Sequence, residues 1–216
     1  MRIQLHSWLA VSAASLILAT PSFSGPGITV EYSAVEVVET EDSMTKTVVY
    51  STPTMERREI SDGGQKMISI ARHDKKVTWM LMPEEKMYME MPIGQSAEKK
   101  EEKTDLSAYK IDQTPMGQET LNGIVMNKGK MVMTGKDGSK MGGFMWTTKE
   151  GIIAKLDALS VEQGKKDRFK LEAQNLKIGK QPVNLFEIPK GFEKMDMGAM
   201  GGMGDMGNMM KGMLGK

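Results

Sequence analysis

Two sets of alternate positions in this 216-residue chain carry thioethers, Met80 and Met82, then Met87, Met89 and Met91. Methionine sulfur is soft and polarizable, and its unbranched side chain is flexible. A row of such groups suits two kinds of chemistry. It adapts to an apolar ligand of variable shape, or it ligates a soft metal such as Cu(I) in a compartment where thiols are unreliable. A third reading needs no ligand, because the same side chains fill irregular gaps in a core. A second set stands at the C-terminus, where Met195, Met197, Met200, Met203, Met206, Met209, Met210 and Met213 share 22 residues with seven glycines. Core filling does not account for that set. Its alternatives are an unstructured low-complexity end or copper capture by Met-x-x-Met pairs, although the only carboxylates there are Asp196 and Asp205.

Other reactive chemistry is scarce. The chain has no cysteine, so a thiol nucleophile and a Cys/His zinc site are both excluded. Beyond His6, near the start, its one histidine is His73, set among charges in Arg72-His73-Asp74-Lys75 and read as a turn residue. The glycines and lysines of 135–143 (GKDGSKMGG) lack the spacing of a phosphate-binding loop. The chain reads as non-enzymatic and without a catalytic cofactor.

The elements that position the first methionine set follow from 76–92, KVTWMLMPEEKMYMEMP. Strands at 77–82 and 87–91, joined by Pro83-Glu84-Glu85-Lys86, predict a hairpin, because proline sets φ at the turn entry and the charges hold the turn in water. Alternation then sorts the side chains. A four-residue loop sets Met82 opposite Met87 and Met80 opposite Met89, on one nearly all-methionine face. The other face carries Val77, Trp79, Leu81 and Tyr88, with Glu90. Both faces are apolar, so the hairpin is either buried on both sides or packs a core on one and holds a ligand on the other. The two candidate linings are Met80, Met82, Met87, Met89 and Met91, or Trp79, Leu81 and Tyr88.

Residues 1–24 have the form of a secretory signal: Arg2, an apolar run over 8–19, and small residues at Ser22 and Ser24. That run is too short to span a bilayer, which needs roughly 20 residues. Without Arg2 the 29 basic residues become 28, equal to the 28 acidic ones. A neutral exported chain argues against nucleic acid as a partner. No later stretch is apolar enough to cross a membrane, and periplasmic localisation is the expectation.

Between the ends, short alternating runs separated by turn residues predict a β-rich domain over 25–193. The runs lie at 28–38, 45–51, 54–60, 66–71, the hairpin, 124–127, 130–134, 144–148, 152–159 and 168–176, with 181–188 closing the domain. The polar run TMERREI over 54–60 reads as an edge or solvent-facing strand. The charge-dense stretch 96–109 reads as a solvated connector. Glycine density disfavours helix and strand from 194 onward, so 194–216 reads as a disordered tail.

Three stretches together carry a family resemblance: the hairpin with its Lys76-x-x-Trp79-x-Leu81-x-Pro83-x-x-Lys86-x-Tyr88-x-Glu90-x-Pro92 pattern, Gly117-x-Glu119-x-x-x-Gly123, and 184–192 (NLFEIPKGF). They resemble an uncharacterised family of bacterial envelope proteins, a domain of unknown function, which is in turn similar to the LolA/LolB lipoprotein-carrier fold. The resemblance implies an open antiparallel β half-barrel with an apolar concave face. It also implies a lipid or other amphipathic ligand, a role in envelope or lipoprotein trafficking, and an envelope protein that loads or receives the ligand. No site residue transfers from the carriers, and a cover helix like theirs is not evident. A structural envelope module without a ligand is the remaining alternative.

Overall fold

Side chains that alternate along an extended chain leave opposite faces of a pleated sheet, and a sheet greasy on one face must bury it. The computed structural model describes residues 28–62, 64–93, 109–135, 140–162 and 165–195, and places twelve strands among them. They are β1 (Tyr32–Glu39), β2 (Met44–Ser51), β3 (Met55–Asp62), β4 (Gln65–Arg72), β5 (Val77–Met82) and β6 (Met87–Pro92). After these come β7 (Tyr109–Leu121), β8 (Ile124–Gly135), β9 (Lys140–Thr147), β10 (Ile153–Glu162), β11 (Lys165–Ile178) and β12 (Glu193–Lys194). One turn of 3-10 helix, Val183–Phe186, precedes β12.

All twelve form one sheet in the order β12-β6-β5-β4-β3-β2-β1-β11-β10-β9-β8-β7. It is two meanders, β1–β6 and β7–β11, joined where β1 pairs antiparallel with β11. Every pairing is antiparallel except β12 with β6. The ends, β12 and β7, do not pair with each other, so the sheet is open.

The sheet is also curled. Leu176 packs against the cluster of Tyr32, Val49 and Ile152 and also against that of Met126, Trp146 and Ala154. The curl coincides with register breaks in β1–β11 (Ser33/Val35) and β9–β10 (Ile153/Lys155), and bulges of this kind bend a strand and sharpen its twist. This is the open antiparallel half-barrel of the LolA/LolB type anticipated from the sequence.

Several local expectations change. The polar run at 54–60 belongs to β3, an interior strand between β2 and β4 and not an edge. Its charges are satisfied in place: Arg57 with Glu59 (2.6 Å), and Arg58 with Glu36 and Glu56. The region around Pro115 and Gly117, outside the strands expected from the sequence, lies within the 13-residue β7, which absorbs both residues at a register break between Pro115 and Gln118. The runs at 124–127 and 130–134 are one strand, β8, entered through Asn122-Gly123, both at positive φ (52° and 79°) as a two-residue hairpin turn requires. The charged stretch 94–108, the signal-like segment 1–24 and the tail from 196 lie outside the described residues. Among the described residues no helix is long and apolar enough to cross a membrane.

Candidate functional site

The central hairpin has the anticipated register: Met80 opposite Met89, Met82 opposite Met87, Leu81 opposite Tyr88 and Trp79 opposite Glu90. Its two faces have different fates. On the tryptophan face, Ile68, Ile70, Trp79 and Leu81 form a cluster with Phe186, which is fully buried. Tyr88, Val77, Leu185, Ile188 and Phe192 pack around it. The C-terminal segment is therefore the cover on this face. Two arginines from neighbouring strands hold it there. Arg57 donates to Leu185 O (2.8 Å), and Arg72 donates to Phe186 O (3.0 Å) and to Glu187 (2.7 Å). Arg72 also grips Asp74 through two hydrogen bonds, which holds the Asp74 carboxyl down at about 2. The indole is locked as well. Trp79 Nε1 donates to Glu90 (2.9 Å), Lys194 pairs with Glu90 (2.7 Å), and Lys75 and Arg72 lie over the ring at 5.0 and 5.6 Å. Trp79 and Leu81 are thus buried members of this cluster, and the half-buried Tyr88 packs against it.

The methionine face is different. Met80 is buried, while Met82, Met87, Met89 and Met91 are half-buried. Ile68 pairs with Leu81, which brings Met67 into the row of Met82 and Met87, a sixth thioether. Alternation in KMISIA already put Met67 opposite Ile68 and Ile70, and that signal finds it. None of the six belongs to any of the four apolar clusters among the described residues. Toward β1 the same face carries Ile60, Val49 and a polar group at its floor. There Arg58 donates to Glu36, and more weakly to Glu56 (3.4 Å). Burial raises the Glu36 carboxyl above its usual range, and Arg58 offsets this only in part. Arg58 Nε is the one buried side-chain N or O without a hydrogen-bond partner among the described residues. No sequence signal singled out this trio, because its members are contributed by β1 and β3.

A cavity of about 560 Å³ lies elsewhere, between the tip of the β7–β8 hairpin and β10–β11. Leu121, Ile124, Met126 and Leu176 line it, with Glu172 and Gln174 among its polar groups. It contains none of the residues singled out from sequence.

The exposed His73 sits in its turn, its backbone N–H bonded to Thr54 O (3.0 Å). No group of three or more His, Cys, Asp or Glu among the described residues is placed to hold a metal. Of the C-terminal methionines, Met195 alone is described, its N–H donating to Tyr88 O (2.8 Å). Met197, Met200, Met203, Met206, Met209, Met210 and Met213 lie outside the described residues.

Comparison with known proteins follows the architecture. The chain is similar to an uncharacterized conserved protein from Thermus thermophilus, with 13% identity and a TM-score of 0.51 over 85% of this chain and 98% of that one. It is similar to MucB, with 12% identity and a TM-score of 0.50 over 82% of this chain; it spans 63% of MucB. A more distant similarity joins it to the lipoprotein LppX of Mycobacterium tuberculosis, with 13% identity and a TM-score of 0.40 over 71% of this chain and 88% of LppX. At these identities the likeness is one of fold. No curated protein matches the chain in sequence. Residues 39–188, well over half of the chain, match the domain of unknown function DUF4412, and the chain belongs to that family.

Proposed function

We propose that this is an exported, non-enzymatic envelope protein that binds a lipid or another amphipathic molecule on the methionine face of β4–β6. One observation carries the reading: the two faces of the β5–β6 hairpin are unequal. One is sealed by the chain's own Phe186 segment, whereas the other gathers Met67, Met80, Met82, Met87, Met89 and Met91 outside every apolar cluster. Thioethers adapt to varied apolar shapes, as a carrier of acyl chains needs. An open, curled sheet offers a concave wall for such a ligand. Export to the periplasm rests on the signal-like 1–24, and handover of the ligand to or from an envelope protein is part of the same reading.

Native mass spectrometry of the exported protein, purified without detergent, tests it. The expectation is an adduct of lipid mass on the wild type. The adduct disappears in the Met82→Asp/Met89→Asp double variant, which keeps its circular dichroism spectrum because both side chains are half-buried and not core. A wild-type protein that is bare, and that takes up no added phospholipid, would sink the proposal. Loss of the native spectrum in the double variant would instead assign these residues to the core.

A further inference from the structure

Two irregularities of the sheet meet at the cavity of about 560 Å³ between the tip of the β7–β8 hairpin and β10–β11. The register break between Ile153 and Lys155 brings Lys155 opposite Trp146. The break between Ser33 and Val35 leaves one extra residue on β11, where Asn175 takes a φ of 53°. Bulges re-aim side chains and gather beside functional sites, and Lys155 and Asn175 both line the cavity. Glu172, another lining residue, stands directly opposite Lys155 across β10–β11. Opposite charges in that position ordinarily stabilise a sheet by pairing. Here they stay apart. The Lys155 ammonium lies over the Trp146 ring, 4.9 Å from its centroid, within electrostatic reach of Glu119 and Asp157. The ring is itself fixed, because Trp146 Nε1 donates to Glu119 (2.6 Å), which also takes Lys128 (2.5 Å). The exposed Glu172 carboxylate is engaged by no cation and no hydrogen-bond donor among the described residues.

We propose that this cavity binds the headgroup of a zwitterionic phospholipid that carries a primary ammonium. Lys155 takes the phosphate and Glu172 the ammonium, while the first methylenes of the acyl chains lie against Leu121, Ile124 and Met126 of the facing hairpin. A zwitterion answers both protein charges at once and brings no net charge into the cavity. Lysine binds phosphate as a point charge, without the paired geometry that arginine imposes. A carboxylate only accepts hydrogen bonds, and a primary ammonium supplies three donors where a quaternary amine supplies none. The carboxamides of Asn122 and Gln174, also in the lining, offer donors to the remaining phosphate and ester oxygens. The volume lies inside the range of small-molecule sites, about 300–1,000 Å³. The inference rests on the proposed function in taking the ligand to be a lipid. It adds a headgroup site apart from the methionine face and does not need that face.

The test uses the exported protein, residues 25–216, labelled with 5-fluorotryptophan, whose fluorine signals come from Trp79 and Trp146 and are assigned with Trp146→Phe. The probes are dihexanoyl phosphatidylethanolamine, phosphatidylcholine and phosphatidylglycerol, each kept below micelle formation. The ethanolamine lipid should move the Trp146 signal saturably and leave that of Trp79, which lines no part of the cavity, in place. The other two should bind about tenfold more weakly or worse, the worth of one hydrogen bond to a charged group. Glu172→Gln should level the three affinities, and Lys155→Met should weaken all three; an unchanged Trp79 signal reports that each variant is folded. A Trp146 signal moved by no probe, or moved alike by all three, would overturn the proposal. So would a Trp79 signal that moves along with it, or an ethanolamine preference that survives Glu172→Gln. Headgroup discrimination through Glu172 without any long-chain lipid adduct in mass spectrometry would sustain the cavity and refute the carrier reading alone. A lipid adduct on a protein whose Trp146 ignores the headgroup would do the reverse.

Discussion

Trp79 and Met80 are neighbours in sequence and point to opposite sides of β5, where they meet opposite conditions. The indole lies in a cluster closed by Phe186, its N–H on Glu90 (2.9 Å), while the Met80 thioether faces Met89 on the side without that cover. Stability and binding should therefore separate at adjacent positions.

The first prediction follows from that separation. Phe186 is fully buried and fills the centre of the cluster formed by β4, β5 and the C-terminal segment. Phe186→Ala should destabilise the protein by about 3–5 kcal/mol, the range for deleting a fully buried phenyl ring. Urea unfolding followed by tryptophan fluorescence measures this. Met89→Asp, on the half-buried face, should shift the midpoint far less while removing the lipid adduct. Similar midpoint losses in the two variants would show that both faces are core.

A second prediction concerns acid. The hydrogen bonds from Arg72 hold Asp74 at about 2, against 3.8 for the ordinary group, and the same arginine lowers Glu187 below its usual 4.5. Carboxyls depressed in the folded state contribute stability that is complete above their unfolded values. The contribution is lost as pH falls through the folded ones. The clamp on the C-terminal segment should accordingly loosen between about pH 4.5 and pH 2. The protection of the Leu185 and Glu187 amides against exchange, taken relative to the intrinsic rate at each pH, should fall across that window in the wild type. In Arg72→Met the protection should be low already at pH 6 and insensitive to further acid. A wild-type protection profile flat through the window would refute the clamp.

Alternation made the hairpin legible in the sequence down to its register, since Pro83 and the charges after it fixed a four-residue turn and the rest was counting. The sealing of one face was not legible. Phe186 stands 107 positions from Trp79, and nothing local to NLFEIPKGF says which face it will cover. β3 failed for a different reason. Glu56, Arg57, Arg58 and Glu59 read as a solvated stripe, because the partners that let them be buried, Glu36 and the Leu185 carbonyl, lie on other strands and segments. In β7, Pro115 and Gly117 interrupt any strand pattern in the sequence, and only the bulge between Pro115 and Gln118 reconciles them with a ladder.

The third prediction uses the polar floor. Arg58 sits between two buried carboxylates, Glu36 and Glu56, and removing it leaves both without their cation. Arg58→Met should destabilise by about 3–5 kcal/mol, the range for stripping one member from a buried ion pair. Glu36→Gln should behave oppositely. Burial raises the Glu36 pKa in the folded state, so its effect on stability is most favourable at low pH and falls as pH rises from about 4.5 through the folded value. Glutamine keeps an acceptor for Arg58 and does not titrate. Glu36→Gln should match or exceed wild-type stability at pH 7, and its stability should no longer fall over that interval. Equal destabilisation by the two variants would mean that the pair acts as a unit and that burial of Glu36 is fully offset.

The last prediction concerns how closely β9 and β10 approach at the curled part of the sheet. Gly142 and Gly143 are adjacent on β9, opposite Leu159 and Ala158 of β10. A β-carbon added at Gly142 would meet Met131 O at 3.5 Å, an ordinary contact. One added at Gly143 would collide with the backbone of Asp157 and Ala158, atoms that cannot swing aside as a side-chain end can. Gly143→Ala must therefore spread the two strands, and an overpacked site of this kind typically loses about 1–3 kcal/mol. Gly142→Ala should be neutral or slightly stabilising, because it removes glycine's freedom from the unfolded chain without a clash. Thermal unfolding of the two single variants decides between these outcomes. If Gly143→Ala were as stable as Gly142→Ala, the strands would not approach as closely at Ala158 as this geometry has them.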